Sequence, residues 1–192
     1  MTVAYLVGAI PFGLLLARWI AGVDIREAGS GNIGATNVAR SIGRGWGGLT
    51  LVLDASKGAA PVWGALSILG LPLGWAVGVG SAAILGHVFP CYLGFRGGKG
   101  VATAAGVFMA LTPIPTAMAL LGFVLGIAMT RVVGGGSMLG VVVLVVATAV
   151  FDRRPAVVGL AGMTALLILV RHAGNVRRFF RSKDPENGHE KG

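Results

Sequence analysis

VVVLVVATAV, residues 141–150, is apolar at all ten positions. A strand of a membrane barrel alternates lipid-facing apolar and lumen-facing polar residues over ~10 positions, and this run has no alternation. It therefore reads as part of a bilayer-crossing helix. The rest of the chain agrees. Only 12% of its 192 residues are charged and 55% are hydrophobic, against about 25% charged in a soluble domain. Several windows of ~17–25 residues carry almost no charge, the length that crosses a hydrocarbon core of ~30 Å.

The expected architecture is an all-α integral membrane protein with about seven transmembrane helices, near residues 2–22, 46–69, 73–91, 100–112, 114–130, 137–151 and 155–171. Gly70-Leu71-Pro72, Thr112-Pro113-Ile114-Pro115, Gly134-Gly135-Gly136 and Asp152-Arg153-Arg154-Pro155 punctuate them. The whole chain, 1–192, reads as one domain with a short basic tail at 173–192. No cation precedes Arg18, so the opening apolar stretch reads as a retained span rather than a cleaved signal. The single cysteine, Cys91, excludes an intramolecular disulfide and a cysteine-built metal site.

The net charge of +9 assigns the sides. Connections 23–45, 92–99 and 131–136 share a side with the carboxyl tail. That side holds Arg26, Arg40, Arg44, Arg96, Lys99, Arg131, Arg177, Arg178, Arg181, Lys183 and Lys191, while the other holds only Arg153 and Arg154. Cytoplasmic loops collect Lys and Arg, so the amino terminus is expected outside and the carboxyl terminus in the cytoplasm. Three polar stretches then fall at the cytoplasmic boundary, and their own Arg40, Arg96, Lys99, Arg177 and Arg178 are among the cations that place them there.

The first is GSGNIGATNVAR, Gly29 to Arg40. Gly29, Gly31 and Gly34 permit backbone angles that turn successive amides into an anion nest. Ser30, Asn32, Thr36 and Asn37 add neutral polar groups, and Arg40 adds a forked cation suited to phosphate. A helix starting near Asn32 to Thr36 would put Thr36, Asn37 and Arg40 on one face. The bland alternative is a solvated loop, which favours Gly and Ser without this mix of Asn, Thr and Arg.

In the second stretch, GFRGGKGVAT, Gly97, Gly98 and Gly100 surround Lys99 and lead into an apolar helix. A helix amino terminus presents free amides and partial positive charge, with Lys99 and Arg96 as added cations. Leu93 and Gly100 occupy positions where a Walker A loop needs Gly and Ser or Thr, which removes the main support for nucleotide hydrolysis. The competing reading is a basic membrane anchor on a glycine turn. His87 precedes this loop and reads either as a structural hydrogen-bonder or as a substrate contact. The third stretch, RHAGNVRR, offers His172 and, three residues on, Asn175. His172 suits a proton acceptor or hydroxyl orienter. Arg171, Arg177, Arg178 and Arg181 equally suit anchoring at an anionic leaflet. Asp54 and Lys57, one turn apart within the second span, neutralise each other as a supporting pair. Ser137 stands where it can reach the same site.

In this order and spacing, GSGNIGATNVAR, GHVFPCYLGFRGGKGVAT and RHxxN resemble the bacterial acyl-phosphate:glycerol-3-phosphate acyltransferase family, over nearly the whole chain. The resemblance implies transfer of a fatty acyl group from acyl phosphate to the 1-hydroxyl of sn-glycerol 3-phosphate, giving lysophosphatidic acid and phosphate in phospholipid synthesis. It implies catalytic roles for Ser30, Arg40, Lys99, His172 and Asn175. Substrate contacts are expected from Gly29, Gly31, Asn32, Thr36, Asn37, His87, Arg96, Gly97, Gly98, Gly100 and Ser137. The family's third motif commonly reads His-Arg-Glu-Asn, whereas Ala173 and Gly174 stand before Asn175 here. Neither His87 nor His172 has Asp five positions on; Tyr92 and Arg177 stand there. The HxxxxD pair of thioester-using acyltransferases is therefore missing, which fits a donor that is already activated. The implied partners are the two substrates and the lipid bilayer, with no nucleic acid, cofactor or metal. A monomer in the bacterial inner membrane, multi-pass, with its site at the cytoplasmic face, is expected. A transporter for a phosphorylated metabolite is the rival reading.

Overall fold

The computed structural model describes the backbone of residues 1–181 and the side chains of residues 1–172. Among the described residues every regular element is helical. Pro11 divides the opening span into α1 (Thr2–Ala9) and α2 (Phe12–Ala21), because proline has no N–H to continue the ladder. A short α3 (Ala35–Ser41) precedes α4 (Arg44–Trp63), which runs on through a wide turn at Gly64–Ile68. Next come α5 (Leu73–Val88), α6 (Val101–Leu111) and α7 (Pro113–Thr130). The chain closes with α8 (Val133–Ala147), extended by a wide turn at Thr148–Asp152, and α9 (Pro155–Arg181). Pro113 and Pro155 open their helices, where a missing N–H costs nothing.

Among the described residues, five helical stretches are long and apolar enough to cross a bilayer: Thr2–Ala21, Leu73–Leu93, Pro113–Thr130, Val133–Asp152 and Pro155–His172. Two of the seven expected spans differ from these in kind. The first, α4, carries Asp54 and Lys57 inside the bundle. The second, α6, has 11 residues and rises only about 16 Å, too little for a full crossing. The sixth span, expected to be short at 137–151, instead begins at Val133. The break expected within 100–130 falls at Thr112, ahead of Pro113.

Glycine faces draw the helices together. A Cβ on Gly86 would collide with the α1 backbone at Tyr5, Gly8 and Ala9, and one on Gly8 would strike Ala83 of α5. Gly58 and Gly106 seat α4 against α6 at Thr103 and Ala55, while Gly126 and Gly136 seat α7 against α8. In lipid, close backbone approach and dispersion replace the hydrophobic drive that packs soluble helices. The central core gathers around Phe108, Val107, Val62, Val88 and Ile168, each at most 1% exposed. A smaller cluster of Leu14, Ala17, Ile25, Ile33 and Val38 packs the polar 23–43 segment onto α2.

Gly86→Val should lower unfolding stability by at least ~2 kcal/mol, within the range for overpacking. Gly162→Ala, on an exposed face of α9 with open space around the new methyl, should leave it unchanged or slightly raised. Thermal unfolding in detergent micelles reads both.

Candidate active site

The first polar stretch folds around one buried amide. Asn37, 2% exposed, donates from Nδ2 toward the carbonyls of Ile25 (3.0 Å), Ala28 (3.0 Å) and Asn32 (2.9 Å). Its Oδ1 accepts the Ser30 amide at 2.9 Å. Gly29 and Gly31 take left-handed backbone angles, with φ of 56° and 70°, and a Cβ on Gly29 would overlap Asn37 Oδ1. Asn32 Oδ1 accepts the Gly34 amide at 2.9 Å, which turns the chain into α3. Asn37 thus touches the cleft but uses its polar atoms to shape the loop that presents Ser30. Thr36 and Arg40, one turn apart, line the cleft with exposed side chains.

At the loop's edge Asp24 accepts from Arg26 and from Arg18, each at 2.6 Å. Hydrogen bonds from Arg26 and then Arg18 hold its carboxyl well below the usual range. Their contribution is fully present above the ordinary carboxylate pKa of about 4 and is lost as pH falls through the lowered folded value.

The glycine loop is tied at both its amides and its carbonyls. Gly97 and Gly98 donate to the carbonyls of Val88 (3.2 Å) and His87 (3.1 Å) at the end of α5. Arg171 Nη2 donates to the Gly97 carbonyl at 2.8 Å and to that of Gly98 at 3.3 Å, with its guanidinium 6.0 Å from the Phe89 ring. Gly98 packs against the Nε2 edge of the His87 imidazole, and any Cβ there would collide with the ring. Gly100, at φ 85°, turns the chain into α6. The first amides of that helix have no intrahelical acceptor. Gly100, Val101 and Ala102 line the cleft.

Ser137 and His172 come from α8 and α9. His172 Nδ1 lies 2.8 Å from the Ile168 carbonyl. A carbonyl only accepts, so the neutral ring carries its proton on Nδ1 and leaves Nε2 with a lone pair. Ser137 Oγ donates to the Val133 carbonyl at 3.1 Å, leaving its lone pairs available.

Ser30, Asn32, Thr36, Asn37, Arg40, His87, Lys99, Gly100, Ser137 and His172 all line one cleft of about 1260 Å³. Gly31, Arg96 and Gly97 line a neighbouring cleft of about 960 Å³, which shares Ser30 and Asn32 as its rim. Gly29 and Gly98 line neither and shape the loops from behind. Asn175 lies outside the described side chains. A third, apolar crevice of about 430 Å³ runs between α6, α7, α8 and α9, and shares Val101, Phe123 and Ser137 with the main cleft. Two residues do more than the sequence reading gave them. Arg171 clamps the glycine loop rather than only facing the leaflet, and Asp54 lines the cleft besides pairing with Lys57. No local pattern marks a loop clamp, although Arg171 stands beside His172 in the chain.

Fold and site together define an integral membrane protein, all-helical among the described residues, with a polar, cationic cleft that shares lining residues with an apolar crevice. The glycerol-3-phosphate acyltransferase family model matches residues 1–182. A glycerol-3-phosphate acyltransferase of Geobacter sulfurreducens is 49% identical over 176 residues, covering 92% of this chain and 90% of the relative. One from Myxococcus xanthus is 46% identical over 177 residues, covering 92% of each. The crystal structure of PlsY (YgiH), an integral membrane glycerol 3-phosphate acyltransferase in its glycerol 3-phosphate form, superposes with a TM-score of 0.89 at 36% identity. It covers 95% of this chain and 91% of its own. The lysophosphatidic acid form gives 0.86 at 35% identity, covering 94% and 90%. The chain belongs to the glycerol-3-phosphate acyltransferase family.

Asn37→Asp keeps the shape but turns an acceptor toward three carbonyls. Stability should fall by about 2–4 kcal/mol, the cost of unsatisfied and opposed buried acceptors, and limited proteolysis should cut within residues 25–32 at lower protease concentration.

Proposed function

We infer that this chain transfers a fatty acyl group from acyl phosphate to the 1-hydroxyl of sn-glycerol 3-phosphate, releasing lysophosphatidic acid and inorganic phosphate. The observation that carries this reading is that the main cleft and the apolar crevice adjoin, with Val101, Phe123 and Ser137 lining both. One amphiphile spans both, with its anionic head near Lys99 and Arg40 and its chain between helices. A water-soluble acceptor enters from the wet side.

In this mechanism Lys99, Arg40 and the amides opening α6 hold phosphate oxygens. Ser30 and Asn32, with Asn175 from beyond the described side chains, align the acyl carbonyl and the glycerol hydroxyl. The hydroxyl oxygen forms a bond to the acyl carbon while the acyl carbon–phosphate oxygen bond breaks. Its proton passes to His172 Nε2 or to the departing phosphate. The mixed anhydride is already activated, so positioning and charge stabilisation suffice without a covalent acyl-serine.

Seven membrane segments, the amino terminus outside and a cytoplasmic-face site complete the reading, with the chain working as a single-domain monomer in the bacterial inner membrane. On the expected outer side Arg154 pairs with Asp152 at 2.6 Å and caps the Leu111 carbonyl at 2.6 Å. That local compensation supports the charge asymmetry behind the orientation.

Purified protein given palmitoyl phosphate should release phosphate only when glycerol 3-phosphate is present, and should not use palmitoyl coenzyme A in its place. Lys99→Met and Arg40→Met should each lower kcat/KM by about 10²-fold or more, as loss of a charge-stabilising donor does. Phosphate release without acceptor, or vesicle uptake of glycerol 3-phosphate without acylation, would refute the assignment.

A further inference from the structure

A buried three-residue cluster borders the cleft without a role in the chemistry above. Asp54 and Lys57 project from α4 and His87 from α5, and the three are 2%, 4% and 4% exposed. Lys57 Nζ lies 2.7 Å from Asp54 Oδ1. It also donates to the Ile10 carbonyl at 2.7 Å and sits 5.6 Å from the Phe12 ring centre. Ile10 is where Pro11 interrupts the opening span, and a carbonyl freed there needs a donor from elsewhere in the protein. Lys57 is that donor, and Asp54 balances its charge.

The same carboxylate oxygen faces a second group. His87 Nδ1 lies 3.7 Å from Asp54 Oδ1, longer than a hydrogen bond, and finds no other partner among the described residues. The opposite edge of the imidazole meets Gly98, where only a hydrogen fits. The His87 carbonyl accepts the Gly98 amide at 3.1 Å. One residue further on is Lys99, and Asp54, His87 and Lys99 all line the cleft. A chain of contacts therefore runs from the Pro11 break through Lys57, Asp54 and His87 into the glycine loop.

We propose that Asp54 is a positioning residue: anchored by Lys57, it fixes the His87 ring beneath Gly98 and so sets where Lys99 and the first amides of α6 meet substrate phosphate. This rests on the reading of Lys99 as a phosphate holder. A fold staple alone would need the Asp54–Lys57 pair but not its coupling to His87. A positioning role needs all three, since a misplacement of about 1 Å costs about 10²-fold in rate.

The test is a double-mutant cycle on Asp54→Asn and His87→Gln in detergent-purified full-length protein, with the companion variant Asp54→Asn/Lys57→Met. The companion removes the buried pair together, avoiding an uncompensated Lys57 charge. It should unfold closer to the wild-type temperature than Asp54→Asn alone, with the remaining loss set by the uncapped Ile10 carbonyl, while kcat/KM for glycerol 3-phosphate remains at least about tenfold lower. In the cycle, the double variant should be little worse than either single variant, because both break one linkage. Gly98→Ala, which displaces the same ring, should reproduce the loss. Recovery of activity along with stability in the companion, or multiplying losses in the cycle, would overturn the proposal. Lys99→Met separates the two readings. Wild-type activity there overturns both, whereas a large loss there with multiplying Asp54 and His87 effects overturns only the positioning role.

Discussion

Hydrocarbon offers no hydrogen bonds, and that one constraint organises this molecule. Backbone polar groups below the headgroups must find their partners within the protein. Lys57 answers the carbonyl released at Ile10, and Thr50, Thr116 and Thr148 return their hydroxyls to carbonyls one turn back. At the boundary, where water is available, the chain abandons regular structure in the 22–34 and 89–100 segments. The expected site residues gather beside these segments, where irregular backbone and cationic side chains adjoin an apolar crevice.

The two irregular segments are held in place by different contacts. One is gathered from within by the Asn37 amide, which reaches three carbonyls and one N–H. The other is held from outside, by α5 below and Arg171 above. Glycine serves closeness here as much as conformational freedom. Gly98 is required because the His87 ring occupies the space a side chain would take.

Much of this was readable before any coordinates. Uninterrupted apolar runs such as 141–150 gave the helical class, and prolines and glycine clusters marked the breaks to within a few residues. The polar motifs announced that residues from four parts of the chain meet, and ten of the expected site residues line one cleft. Direction was the illegible part. Asn37 shares a helical spacing with Arg40, yet it turns beneath the loop, because the three carbonyls it satisfies are created only by the fold. Arg171 looked like any boundary arginine, since its acceptors lie more than seventy residues away in sequence. The shallow reach of α6 was also hidden, since a run of apolar residues does not reveal where its last turn is interrupted.

The apolar crevice between α6, α7, α8 and α9 bears on how the protein would meet the proposed acyl donor. Lifting an acyl chain out of a leaflet costs about 0.8 kcal/mol per methylene, so a sixteen-carbon chain would face a desorption barrier near ~12 kcal/mol. On the proposed reading, a chain that passes from the leaflet into this crevice avoids that step. Encounter then becomes two-dimensional, governed by how densely the donor populates the leaflet rather than by its vanishing solubility in water.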